Sequence, residues 1–144
     1  MRVKNIILIG MMGSGKTVVG KAIAKKIRWK YFDTDAFIEK KCGMKVKEIF
    51  KTYGEPTFRK LESEVVKKIS IMRKTVIATG GGMPANSKNI RSLKQSGILV
   101  WLKVSVKEAL GRVKAKRNRP LLPYNFLEAR QIFISLLKQR KTIY

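Results

Sequence analysis

Gly10-Met11-Met12-Gly13-Ser14-Gly15-Lys16-Thr17 closes the most apolar run near the N-terminus and fits the phosphate-loop pattern GxxxxGK[ST] at all four fixed positions. Before it, Ile6, Ile7, Leu8 and Ile9 read as a buried parallel strand; after it, Val19, Ala22, Ile23 and Ile27 mark the apolar face of a helix. Strand, glycine loop and helix thus occur in the order a phosphate-binding turn requires. Glycines permit the backbone angles that aim several N–H groups at one anion, and the helix N-terminus adds about half a positive charge. In such a loop Lys16 reaches the outer phosphates of a nucleoside triphosphate, and Thr17 holds Mg²⁺ through its hydroxyl. A glycine turn that merely contains a lysine would not need both flanks.

Further along, apolar strand candidates alternate with amphipathic helices. Trp29 to Phe32, Thr75 to Thr79 and Ile98 to Lys103 read as strands, which makes the pattern βαβα and the fold α/β, a parallel sheet covered on both faces. Residues 35 to about 72 form a long helical insertion broken at Gly43 and at Gly54-Glu55-Pro56, suited to a substrate-binding subdomain. Residues 114 to 125 form a basic, proline-bearing loop between two helices, with the composition of a lid. No internal repeat, low-complexity tract or interdomain linker divides the 144 residues, so one domain is expected.

Lys and Arg number 33 against 9 Asp and Glu, a net charge of +24 that would suit nucleic acid, an anionic membrane or small anionic substrates. Many lysines fall on solvated helix faces, and no aromatic-interleaved basic stretch or RNA-binding signature favours nucleic acid. Histidine is absent and Cys42 is the sole cysteine, which excludes imidazole chemistry, a Cys/His zinc site and an intramolecular disulfide. The run from Ile6 ends in the phosphate loop without a signal-peptide cleavage site, and no stretch approaches transmembrane length; a cytoplasmic chain is expected.

A second chemical cluster is Asp33-Thr34-Asp35, at the C-terminal end of the second strand, where open α/β sheets place their ligands. Asp35 also suits the N-cap of the next helix, whereas capping would not explain Asp33. A kinase needs one carboxylate near Mg²⁺ and another to hold the acceptor hydroxyl. The third strand ends in Gly80-Gly81-Gly82 and lacks the usual aspartate of a metal-binding strand end, which leaves Asp33 as the metal-side acid. Glycines directly after a central strand let backbone N–H groups approach a ligand.

Two more ionic groups resist a simple surface reading. Beyond Pro56, Phe58, Leu61, Val65 and Ile69 form an apolar face into which Glu62 projects, with Arg59 at its border and in pairing reach. In the last helix, Arg140 falls near the centre of the stripe Ala129, Ile132, Phe133, Leu136 and Leu137. A buried arginine needs an anionic partner; in a frayed final turn, Arg140 would instead reach solvent.

Taken together, these residues resemble the shikimate kinases, phosphate-loop enzymes related in fold to nucleoside monophosphate kinases. The resemblance runs from Asn5 to Tyr144. It rests on the loop at 10 to 17, Phe-Asp-Thr-Asp at 32 to 35, Gly-Glu-Pro-Thr-Phe-Arg-Lys-Leu-Glu at 54 to 62, Thr-Gly-Gly-Gly at 79 to 82, Arg-Pro-Leu-Leu at 119 to 122, and Arg140 shortly before Tyr144. It implies a three-layer α/β/α fold with a helical substrate-binding insertion at about 34 to 72 and a lid. It also implies phosphorylation of shikimate to shikimate 3-phosphate with ATP as co-substrate and Mg²⁺ as cofactor. By the same resemblance Gly13, Ser14, Gly15, Lys16, Thr17 and Val18 bind the nucleotide, Arg112 stacks on adenine, and Arg119 reaches the phosphates. Thr17 and Asp33 serve the metal, with Asp33 the candidate base beside the catalytic cations Lys16 and Arg119. Asp35 binds shikimate hydroxyls, Arg59 and Arg140 grip its carboxylate, Gly80, Gly81 and Gly82 contact its ring, and Glu62 supports Arg59.

Two departures stand out. Val18 occupies a position where the family often has threonine, and family members usually continue past the tyrosine with a fifth strand and a last helix. Four strands are therefore expected here, with Ile98 to Lys103 as a bare apolar edge, reduced activity, and a monomer able to self-associate along that edge. A gluconate-type sugar-acid kinase would share the phosphate loop without requiring the Gly-Glu-x-x-Phe-Arg segment or the triple glycine. A non-catalytic nucleotide-binding module with an anionic partner would have no reason to keep both substrate halves.

Overall fold

The computed structural model describes residues 3–114 and 126–144. β1 (Asn5–Ile9) leads through the phosphate loop into α1 (Lys16–Ile27), followed by β2 (Lys30–Asp33) and the insertion helices α2 (Thr34–Cys42), α3 (Val46–Tyr53) and α4 (Glu55–Ile71). β3 (Thr75–Ala78), a 3₁₀ turn (Met83–Ala85), α5 (Ser87–Ser96) and β4 (Ile98–Trp101) complete the sheet, and α6 (Val106–Lys114) and α7 (Phe126–Arg140) follow. Of the expected lid only Lys114 is described, as the last residue of α6; the rest of it, Arg119 included, lies outside the described residues.

All four strands run parallel in the order β2-β3-β1-β4, so the phosphate loop leaves from an interior strand and the triple glycine from its neighbour. Alternation along the strands divides the core between the two faces. Ile7, Ile9 and Ile77 turn toward Ile38, Ile49, Phe58, Val65, Ile69 and Leu93 of α2 to α5. Leu8 and Val76 turn the other way, toward Ala24 of α1. A third cluster, Met11 and Met12 with Ala109, Leu110, Ala129 and Phe133, seats α6 and α7 against the phosphate loop.

Of the apolar face expected for α1, Val19 and Ile23 pack against the Leu8, Ala24 and Val76 cluster, but Ala22 and Ile27 are exposed, and Gly20 and Ala24 are buried in their place. α1 lies so close to the sheet that a Cβ on Gly20 would stand 2.8 Å from the Tyr31 ring. At the opposite end of the sheet, the fully buried Asn5 side chain donates to Met72 O (2.9 Å) and Ser96 O (2.8 Å) and accepts from Thr75 N (3.2 Å), joining three segments without an unmet polar atom. β4 is an edge of the sheet, with Ile98 50% exposed. No helix among the described residues is long and apolar enough to cross a membrane.

Candidate active site

Gly15 precedes α1 in the left-handed region (φ 91°), which a side chain would disfavour, and the first turn of α1 has no side-chain cap, as an anion-binding helix start should. Ser14 N donates to Met11 O (3.1 Å), tightening the loop. The Lys16 ammonium folds back over it, donating to Gly10 O (2.6 Å), Met11 O (3.0 Å) and Ser14 Oγ (3.4 Å). From α6, Arg112 Nη1 donates to Gly13 O (3.0 Å), which brings this guanidinium to the rim of the loop. Val18 is exposed on the first turn of α1.

At the end of β2, Asp33 is the residue that caps α2: its Oδ1 accepts from Ala36 N (3.0 Å), while Asp35 lies inside the first turn. The sequence reading had assigned the capping alternative to Asp35, and this is corrected. Asp33 holds an extended backbone at the strand's last position, and that is the conformation an N-cap requires. Its other oxygen, Oδ2, accepts from Thr17 Oγ1 (3.3 Å) and Tyr31 OH (3.2 Å), so one carboxylate both caps α2 and faces the phosphate-loop threonine. Burial, reinforced by the adjacent Asp33, pushes the Tyr31 hydroxyl up to about 12, which keeps it a hydrogen-bond donor.

Beneath the triple glycine the charged groups of three helices, α2, α4 and α7, converge. Gly80 N donates to Thr34 Oγ1 (2.9 Å), and a Cβ on Gly80 would stand 2.6 Å from Asp35 Oδ1 and 3.2 Å from Glu62 Oε1. A Cβ on Gly82 would strike the Arg59 guanidinium. Glycine is therefore required here for close approach, as the backbone carries no side chain between itself and Asp35, Glu62 and Arg59. Arg59 is held from two sides, by Glu62 Oε2 (2.7 Å) and by both Nε and Nη2 on Glu55 Oε1 (3.2 and 2.9 Å). Arg140, 5% exposed, is buried at the end of α7; of the two sequence alternatives, the solvent-reaching frayed turn is excluded. Its guanidinium donates to the Met11 sulfur (3.8 Å) and is hydrogen-bonded to the Tyr144 hydroxyl. Arg59 and Arg140 face one cleft of about 610 Å³ that Gly82, Glu55, Asn89 and Gln139 also line.

Glu62 is 1% exposed, and its Oε1 has no hydrogen-bond partner among the described residues. Burial pushes its carboxyl from 4.5 up to about 7, against the pull of Arg59 and with help from Asp35; Arg140 draws it down. A raised acid binds its proton more tightly folded than unfolded, so this group's contribution to stability is full below pH 4.5 and is lost as pH rises through about 7. Wild-type protein should lose melting temperature relative to Glu62→Gln between pH 5 and 8, a comparison that thermal unfolding at the two pH values makes directly. A constant difference between the two proteins would mean Glu62 stays ionised throughout.

The structure brings Lys16, Thr17 and Asp33 together on one side and Asp35, Arg59, Glu62, Gly80 to Gly82 and Arg140 on the other. Two participants had no sequence signal assigned. Thr34 was passed over between two aspartates, although a fully buried threonine there holds the glycine segment. Tyr144 Oη donates to Gly81 O (2.8 Å) and stacks on Trp101 (centroids 5.8 Å), a contact that no periodicity could reveal because it lies beyond the helix.

The shikimate kinase family model matches residues 12–144. A shikimate kinase from Sulfurihydrogenibium sp. is 43% identical over 141 residues, 98% of this chain and 82% of the relative. One from Thermodesulfovibrio yellowstonii is also 43% identical, over 98% of this chain and 80% of the relative. Among solved structures, shikimate kinase from Acinetobacter baumannii in complex with shikimate superposes with a TM-score of 0.94 at 38% identity, covering 99% of this chain and 78% of that one. The shikimate kinase from Aquifex aeolicus gives 0.80 at 36% identity, with 97% and 81% covered. A gluconokinase from Sinorhizobium meliloti shares the fold alone, with a TM-score of 0.56 and 17% identity over 94% of this chain and 74% of that one.

Proposed function

This chain belongs to the shikimate kinase family, and from that premise we propose that it transfers the γ-phosphoryl group of ATP to a hydroxyl of shikimate, giving shikimate 3-phosphate. The observation that carries the acceptor's identity is Arg140, a buried arginine sharing a cleft with Arg59. Two guanidiniums at one cleft suit a ligand carboxylate, which accepts paired N–H donors and cancels the buried charge. The helices of residues 34 to 72 supply the acceptor side, with Asp35 taking acceptor hydroxyls against the glycine segment.

Transfer at this site is a matter of positioning and charge neutralisation. Lys16 exchanges the loop carbonyls it now contacts for phosphate oxygens, where its charge opposes the charge of the transferring group. Arg112 sits at the loop rim, where it can cover the base. Thr17 Oγ1 and Asp33 Oδ2, 3.3 Å apart, are hard oxygen donors that fit Mg²⁺, an ion that keeps most of its waters and takes few protein ligands. When bound, that ion would neutralise phosphate charge. The base role of Asp33 and the phosphate role of Arg119 are both assigned on the family resemblance.

A coupled ADP-release assay with shikimate, with gluconate and with no acceptor tests the reading. Shikimate-dependent release supports it; release with gluconate alone would move the chain to the sugar-acid kinases, and release with no dependence on acceptor would leave a nucleotide-binding module. Arg59→Lys keeps the charge but loses the fork that Glu55 and Glu62 hold. It should weaken shikimate binding about tenfold and leave ATP binding nearly intact. Unchanged shikimate affinity by calorimetry would make Arg59 a structural residue.

A further inference from the structure

Met11 occupies a variable position of the phosphate-loop pattern, yet it touches both sides of the site. Its carbonyl accepts from Lys16 Nζ (3.0 Å) and Ser14 N (3.1 Å) on the phosphate side. Its side chain, 2% exposed, runs the other way into the cluster beneath α7. There the thioether sulfur accepts from Arg140 Nη1 (3.8 Å) and lies 3.5 Å from Tyr144 Oη, whose single proton goes to Gly81 O (2.8 Å).

We propose that Met11 is a positioning residue for the acceptor: from within the phosphate loop, its thioether holds the Arg140 guanidinium in the orientation that receives the acceptor's carboxylate. The proposal rests on the reading that Arg140 takes that carboxylate. The choice of sulfur has a physical reason. A carboxylate in this position would orient Arg140 but also neutralise it, and would then compete with the ligand. A purely aliphatic side chain would pack equally well but remove one acceptor, leaving the orientation of the guanidinium to the Tyr144 hydroxyl. A thioether is a weak, neutral, polarizable acceptor, strong enough to select a rotamer and too weak to satisfy the charge. The carboxylate of Glu62, whose charge reaches Arg140, spends its short hydrogen bond on Arg59.

Met11→Leu separates orientation from packing, because leucine conserves volume and is tolerated in cores. Steady-state kinetics of wild type, Met11→Leu and Arg140→Met, varied in shikimate and in ATP, provide the test. Met11→Leu should raise the KM for shikimate about fivefold, with kcat and the KM for ATP each within about twofold of wild type. Arg140→Met should raise the shikimate KM further. An unchanged shikimate KM in Met11→Leu, alongside a raised one in Arg140→Met, would reduce Met11 to packing and overturn the proposal. An equal loss in kcat or in ATP affinity would place its role in the phosphate loop and overturn it also. No effect of Arg140→Met on shikimate would bring down the carboxylate reading itself, and the role of Met11 with it.

Discussion

Lys16→Ala should lower turnover about a thousandfold while the protein stays folded. Lys16 is the cation that the phosphate loop brings to the transferring group, and backbone N–H groups carry only partial charge. Its present contacts show that the ammonium is already confined to the loop, between Gly10 O, Met11 O and Ser14 Oγ, so little ordering remains for phosphate to impose. Losing those contacts costs stability too, but by only about 1–2 kcal/mol, since the sites are part-buried and water can take them over. The loop keeps the Ser14–Met11 bond and the Arg112–Gly13 bond without Lys16, and alanine suits the first turn of a helix. Turnover measured beside circular dichroism and a melting curve checks both halves. A folded variant within tenfold of wild type would sink the assignment of this loop to catalysis.

Legibility in the sequence followed the range of the interaction. The phosphate loop could be read because every part of it is local: a strand, glycines and a helix within one segment. Glu62 and Arg140 could be singled out because each breaks an apolar helical stripe, and burial of both bears the pattern out. Where the deciding contact comes from elsewhere in the chain, the pattern failed. Gly20 is buried because the Tyr31 ring leaves no room there for a side chain, a restriction that comes from β2, whereas hydrophobicity alone favoured Ala22 and Ile27. Asp33 caps α2 because β2 ends one residue later than its apolar run suggests. The Tyr144–Gly81 and Asn5–Ser96 bonds cross 63 and 91 residues, and no local signal encodes them.

Arg140→Met should raise the melting temperature while destroying acceptor binding. Arg140 is 5% exposed, so the free protein carries a buried charge that has lost most of its hydration. Its polar contact with the Met11 sulfur does little to offset the lost hydration. Methionine has similar length and flexibility and would extend the cluster that Met11, Leu136 and Leu137 already form. Replacing buried charge with packed apolar volume commonly gains about 1–4 kcal/mol, and part of that gain should appear here. The same substitution removes the donor pair that meets the ligand carboxylate, and kcat/KM for shikimate should fall about a hundredfold. Opposite signs in the two measurements distinguish a residue kept for binding from one kept for the fold, because functional sites hold groups that stability alone would not select. A fall in melting temperature with an unchanged shikimate KM would instead make Arg140 the tie between α7 and the phosphate loop, and the carboxylate would have to be received elsewhere in the cleft.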